Sequence, residues 1–217
     1  MIIQNIIEHT KQYIKEVFNN EFTGHDYYHA LRVESIANKI VDAEGGNRLV
    51  CVLASLLHDV IDDKIQNSLN RNCEKFDIFF QKLPISQQDK DDILYIINNM
   101  SFSKMLSNKD LKITKELAIV SDADKMDSLG AIGIARTFAY GSKVNNPIYD
   151  PTIPPEENLT QEEYKRKDRK TTSLNHFDEK LLKLDQYLLT ETGKKIAKPR
   201  IEFLKTFKKQ FLDEWNY

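Results

Sequence analysis

Apolar residues recur along this chain at steps of three and four rather than two, the period of an α-helix and not of a half-buried strand. Ile3, Ile6, Ile7, Ile14, Val17 and Phe18 mark the first such face. Continuing along the chain, the pattern predicts helices over roughly 2–19, 26–43, 47–62, 68–82, 86–99, 112–126, 128–139, 171–190 and 192–214. Gly45-Gly46 closes the second of these, and Pro84 with Ser86 marks a boundary at which Ser86 is placed to cap the next helix. One stretch resists a helical period: 141–160, GSKVNNPIYDPTIPPEENLT, which holds four of the six prolines. It is expected to be a surface loop, either a plain connection or a lid over a site. The charged stretch 161–170 is read as a short exposed helix or as unstructured chain. No internal repeat or low-complexity tract interrupts the pattern. The expectation is an all-α bundle of roughly nine to ten helices forming one globular domain over 1–217.

Composition acts on this picture by exclusion. Of 217 residues, 41% are hydrophobic and 29% charged, enough to bury a core in one medium-sized domain. A formal net charge of −2 offers no bulk attraction to nucleic acid or to an anionic membrane, so any phosphate must be held by a local site. Cys51 and Cys73 are too few for a disulfide framework or a cysteine zinc cluster, and Cys51, inside an apolar run, is expected to be a small buried hydrophobe. Glu8 and Lys11 interrupt the amphipathic N-terminus and no long apolar segment follows, which predicts neither a secretion signal nor a membrane span. A cytoplasmic location is the expectation.

The apolar run 49–57, LVCVLASLL, ends on His58-Asp59, and here the pattern becomes chemical. Burying a histidine and a carboxylate without partners is costly, and a divalent cation would satisfy both at once. Other stripes also carry a polar residue where Leu or Ile is the norm. His29 heads Val33, Ile36 and Ile40 at steps of four, three and four, and Asp124 continues Ile113, Leu117 and Val120 at the same steps. His58 shares a face with Ala54 and Cys51. Taken singly, each is as readily a satisfied core residue or a helix terminus. Taken together, two imidazoles and two carboxylates are aimed inward from three helices, a mixed nitrogen–oxygen set suited to a first-row divalent metal. Such a set leaves a position open for water or a phosphate oxygen, the mark of a catalytic rather than a structural site. A metal there would acidify coordinated water and polarise a phosphoryl oxygen.

The order His29, His58-Asp59, Asp124 resembles the H…HD…D signature of the HD-domain metal-dependent phosphohydrolases. The likeness extends beyond the ligands. Gly24-His25-Asp26-x-x-His29-x-x-Arg32-Val33, Ala54-Ser55-Leu56-Leu57-His58-Asp59-Val60, Ser121-Asp122-Ala123-Asp124-Lys125-Met126-Asp127, Gly130-Ala131-Ile132-Gly133-Ile134-Ala135-Arg136-Thr137-Phe138 and Asn175-His176-Phe177-x-x-Lys180-Leu181-Leu182-Lys183-Leu184 look like its YpgQ/YedJ-type branch. This resemblance implies an HD-domain helical bundle with one divalent ion on His29, His58, Asp59 and Asp124. Manganese is favoured, with magnesium, cobalt, nickel, iron or zinc compatible. It also implies hydrolysis of phosphoester or phosphoanhydride bonds, commonly in nucleotides. Within that frame the ligand-bearing core is 20–130, and the helices of 160–214 pack on it.

The same resemblance orders the other candidates. His58-Asp59-Val60-Ile61-Asp62-Asp63 is similar to the HD-x-x-ED hydrolase site of the stringent-response enzymes, with Asp in place of Glu. Asp62 is assigned as general base or water-positioning group and Asp63 as its support, the alternative being two acidic residues at a helix end. Arg32, one turn from His29, and Lys64 are candidates for neutralising phosphate charge, Arg32 through its planar fork. His25, four residues before His29, contacts phosphate or donates a proton at the site mouth, or else caps the helix. Asp122 falls about 200° round the helix from Asp124 and should not share the metal, whereas Asp127 lies on the same side and is placed to orient a ligand or Lys125. His176 and Lys180, at i and i+4, form one polar face on a helix otherwise carrying Leu174, Phe177, Leu181, Leu184 and Leu188. They are read as substrate contacts or as a structural ion-pair face. His9 is expected on the surface.

The leading expectation is a metal-dependent enzyme acting on a small-molecule nucleotide, first of all a nucleoside or deoxynucleoside triphosphate pyrophosphohydrolase. A 5'-nucleotidase-type phosphomonoesterase and a non-catalytic nucleotide-sensing module are the alternatives. A di-iron oxygenase or a two-metal phosphodiesterase would need further histidines between the HD pair and the last aspartate, and none lies between His58 and Asp124. That argues for a single metal.

Overall fold

A computed structural model describes residues 2–19, 24–61, 73–101, 105, 110–156, 166 and 169–215. The described residues form nine α-helices, one 3-10 helix and no strand. In chain order these are α1 (Ile2–Val17), α2 (Tyr27–Glu44), α3 (Arg48–Leu57), α4 (Cys73–Gln81), α5 (Gln87–Asn99), α6 (Lys115–Asp127), α7 (Gly130–Lys143), α8 (Asn175–Glu179), the 3-10 helix Leu181–Tyr187, and α9 (Glu191–Trp215). They pack as two units, Met1–Asp124 and Lys125–Tyr217. No described helix is long and apolar enough to cross a membrane.

In the first unit the greasiest segment is the innermost. Every residue of α3 from Val50 to Leu57 is buried, and the helix packs against α1, α2 and α5. A helix that is apolar on all sides has no face to offer water, so it takes the centre. Each fully buried Val or Leu there contributes about 1.5–3 kcal/mol of transfer free energy. Cys51 belongs to this core: burial, reinforced by Glu116 and opposed by Arg48, pushes its thiol up to about 12. It is the buried hydrophobe its surroundings call for, without thiolate chemistry.

The helix ends follow from capping chemistry. Asp26 caps α2 by accepting a hydrogen bond from the His29 N–H at 2.7 Å. Gly45, at φ 76°, closes α2 by donating its N–H to Val41 O at 2.8 Å, a left-handed position that glycine adopts at no steric cost. Asn47 caps α3, and Ser86 caps α5 by accepting from the Asp89 N–H at 3.1 Å. Two expected boundaries move. The apolar period runs on to residue 62, but α3 stops at Leu57: the His58 ring bonds back to the Ser55 carbonyl at 2.8 Å, and the Val60 N–H closes a tighter turn onto Leu57 O at 3.0 Å. At the other shift, Thr114 caps the start of α6 through the Leu117 N–H at 3.1 Å. Ile113 therefore lies before the helix and is 45% exposed, while Leu117 and Val120 are buried.

In the second unit α9 packs against α7 and the 3-10 helix. Phe138, Phe177, Phe207 and Phe211 form its aromatic centre, with ring centroids 5.8–6.2 Å apart. α7 runs four residues beyond its expected end, to Lys143, so 141–143 are helical rather than loop. Gly141 permits this, because a Cβ there would lie 2.0 Å from Ser173 Oγ. The stretch 144–156 carries no helix and is stitched down. Pro147 O accepts from Ser173 N–H, Ile148 O from Leu174 N–H, and Ile153 O from the Asn175 side chain, at 2.9–3.0 Å. The expected single helix 171–190 is broken in two: α8 ends at Glu179, Lys180 leaves helical geometry, and a 3-10 helix follows. Leu174, Phe177, Leu181, Leu184 and Leu188 are nevertheless all buried. Leucines three apart suit a helix of three residues per turn as well as an α-helix, so the apolar stripe survives the change.

Candidate metal centre

Three helix ends in the first unit build the centre. The Asp26 cap sets His29 in the first turn of α2, where it is fully buried at the head of the Val33, Ile36, Ile40 stripe. His58 and Asp59 follow directly on α3, whose side chains seal the inner side. Asp124 lies in the last turn of α6 and keeps its side chain 33% exposed. The ligand atoms converge: His29 Nε2 lies 3.2 Å from His58 Nε2, 3.3 Å from Asp59 Oδ2 and 3.4 Å from Asp124 Oδ1. His58 Nε2 lies 3.4 Å from Asp59 Oδ2 and 3.8 Å from Asp124 Oδ1.

These separations fit a metal. With metal–ligand bonds of about 2.0–2.2 Å, two ligands on one ion stand about 3.0 Å apart at a right angle and about 3.4 Å at a tetrahedral angle. The tautomer fits too. The His58 Nδ1 partner is the Ser55 carbonyl, which only accepts, so Nδ1 carries the proton. In the neutral ring Nε2 then has a bare lone pair aimed into the cluster, the orientation a ligating histidine takes when its other nitrogen bonds a carbonyl. The donor set, its spacing and its tautomer therefore accommodate a divalent cation. Asp122 is buried and belongs to neither metal-sized group among the described residues.

The electrostatics point the same way. Burial alone would favour neutral His58, yet Asp59 and then Asp124 outweigh burial and raise its pKa above 6.5. Burial also opposes charge on Asp59, but His58 and His25 hold its carboxyl well below 3.8, and His29 and His58 hold Asp124 low in the same way. The pocket wants a positive charge. For the metal-free protein the signs are definite. A raised histidine stabilises the fold fully below about 6.5 and loses that contribution as pH rises through its folded pKa, whereas depressed carboxylates stabilise above about 3.8 and lose it as pH falls. The cluster should therefore contribute most between about pH 4 and 6.5. Because metal requires the neutral imidazole, saturating Mn2+ should carry the optimum to higher pH. Melting curves across pH in EDTA and in Mn2+ check this, and a flat profile in EDTA would remove charged His58 from the cluster.

The other sequence candidates distribute as follows. Arg32 sits part-buried on α2, three residues beyond His29. Asp62, Asp63 and Lys64 lie outside the described residues. His25 joins the cluster more intimately than a mouth contact, its Nδ1 2.9 Å from Asp59 Oδ2. His25, His29 and Asp59 form a second group of metal-ligating type beside His29, His58 and Asp124. Sequence reading missed that link, and it missed Asp26 as the cap that places His29, although an Asp three residues before a helical His is a recognisable capping signal. In the second unit Asp127 accepts from Arg136 Nη1 at 2.9 Å, tying the end of α6 to α7. His176 lies in α8, and Lys180 is its C-cap residue, donating its N–H to His176 O at 3.1 Å. The part-buried His176 ring is held down to about 3 by burial and by the Lys180 and Arg169 cations, so it is neutral at physiological pH.

Comparisons with known proteins place the chain in a family. The sequence profile described as HD domain matches residues 26–129. A Lactobacillus plantarum protein of known crystal structure is 34% identical over 99% of both chains, with a TM-score of 0.84. An HD-superfamily hydrolase from Bacillus thuringiensis is 38% identical over 99% of this chain and 98% of its own, with a TM-score of 0.73. The Bacillus subtilis protein YpgQ, described as uncharacterized, is 28% identical over 208 residues, 94% of this chain and 90% of its own. Its crystal structure in complex with ADP aligns over 99% of this chain and 97% of that one at 25% identity, with a TM-score of 0.77.

Proposed function

The chain belongs to the HD-domain family, and from that membership we propose that it is a divalent-metal-dependent phosphohydrolase that splits nucleoside or deoxynucleoside triphosphates into monophosphate and pyrophosphate. The observation that carries this is the convergence of His58, Asp59 and Asp124 on His29 Nε2 at ligand-to-ligand distances. These four residues would hold the ion, a mixed imidazole–carboxylate set that suits first-row divalent metals, with manganese favoured by the family resemblance. A divalent ion supplies charge against a phosphoryl oxygen and acidifies the water it coordinates.

The residues of the chain do the rest. The α3 wall excludes water from behind, which strengthens every electrostatic interaction inside the site. The exposed side of Asp124 is the side from which phosphate can approach. Arg32, on the helix that carries His29, is the candidate to take up phosphate charge through its fork, with Lys64 as a second cation. Asp62 is assigned to accept the proton of the attacking water and Asp63 to support it. His176 and Lys180 are assigned to substrate recognition, His176 as a neutral donor or acceptor. The ADP complex of YpgQ supports a nucleotide as the class of ligand.

A panel of nucleoside and deoxynucleoside mono-, di- and triphosphates, each with Mn2+, Mg2+, Co2+ and EDTA, tests the reading. Pyrophosphate from triphosphates, only with metal, is the expected result. Orthophosphate from monophosphates would replace it with a 5'-nucleotidase-type activity. Binding without turnover under every metal would leave a nucleotide-sensing module.

A further inference from the structure

We propose that His25 serves the metal centre through Asp59, as the hydrogen-bond donor that fixes this carboxylate, rather than by touching the substrate. The inference rests on the metal-site reading above and adds a positioning residue to it. An ionised carboxylate only accepts, so at 2.9 Å the proton between His25 Nδ1 and Asp59 Oδ2 belongs to the imidazole. The oxygen it holds is the one facing His29 and His58 at 3.3 and 3.4 Å, hence the oxygen that a cation would meet. An N–H on one lone pair of that oxygen leaves the other directed into the cluster, and ligating carboxylates are characteristically held in this way.

The local fold is arranged for the contact. Gly24, at φ 89°, turns the chain immediately before His25, and Asp26 immediately after it caps α2. One short turn thus places both His29 and the ring that grips Asp59. That ring stands edge-on to His29 with centroids 5.3 Å apart. His25 differs from the two histidine ligands in exposure: its side chain is 43% accessible, against 1% for His29 and 5% for His58. It can therefore be replaced with little loss of buried surface.

The test is calorimetric titration of Mn2+ into the metal-free full-length protein. His25→Ala should weaken Mn2+ binding by about 10–100-fold, the usual effect of removing a group that orients a ligand. His25→Asn, which offers an amide N–H near the Nδ1 position, should bind close to wild type. Circular dichroism and melting of the metal-free variants establish that both are folded. Unchanged Mn2+ affinity in His25→Ala, with only the KM for nucleotide raised, would overturn the proposal in favour of a substrate contact. Equal loss in both variants would overturn it in favour of direct ligation by the ring. Failure of the metal-site reading is distinguishable, because wild type would then bind no Mn2+ at all.

Discussion

Asp59→Ala is expected to abolish stoichiometric Mn2+ binding and, with it, all metal-dependent hydrolysis. Asp59 Oδ2 sits at the heart of the centre, within 3.4 Å of ring nitrogens from His25, His29 and His58. Without it the remaining anion is Asp124, which is part-exposed and shares its charge with water. Two neutral imidazoles and one carboxylate make a much poorer site for a hard or borderline divalent ion than the four-ligand set. The fold itself should survive. Removing one member of a buried ion pair is costly because it strands the other charge, but His58 escapes that fate by releasing its proton. The stability loss in EDTA should accordingly be larger at about pH 5.5, where His58 is charged, than at about pH 8. Calorimetry gives the binding and thermal melts the folding. Metal-dependent turnover at the wild-type rate would overturn the site.

What could be seen in advance divides along a physical line. Patterns that depend on neighbours three and four residues apart were legible: the buried stripe below His29, the all-apolar α3, the glycine stop at Gly45 and the Ser86 cap. Interactions that depend on which groups meet in space were not. α3 ends early because the His58 ring bonds the Ser55 carbonyl, a side-chain bond that apolar periodicity does not encode. The break after Glu179 was hidden for a related reason, since Leu181 and Leu184 keep their step of three through the change from α to 3-10 geometry. At the site, the four candidate ligands stood out because each is a polar residue on an apolar stripe. The grip of His25 on Asp59 spans 34 positions of sequence and carries no local signature.

Asp62→Asn separates metal binding from catalysis. Mn2+ affinity should stay near wild type, because His29, His58, Asp59 and Asp124 are untouched. The rate of nucleotide hydrolysis should fall by about 100–10,000-fold, the range for loss of a general base. Asn keeps the size of the side chain and an acceptor oxygen, but it cannot take a proton, so the substitution tests basicity and not bulk. The reason for choosing Asp62 is covalent. Three residues of chain span at most about 11 Å, which tethers this carboxylate to Asp59. Asp carries one methylene less than the Glu of the HD-x-x-ED arrangement it resembles, so a further substitution, Asp62→Glu, should retain more activity than Asp62→Asn. Parallel loss of rate and metal affinity in Asp62→Asn would make Asp62 part of the metal centre instead. An unchanged rate in Asp62→Asn would acquit it and leave Asp63 as the candidate base in this segment.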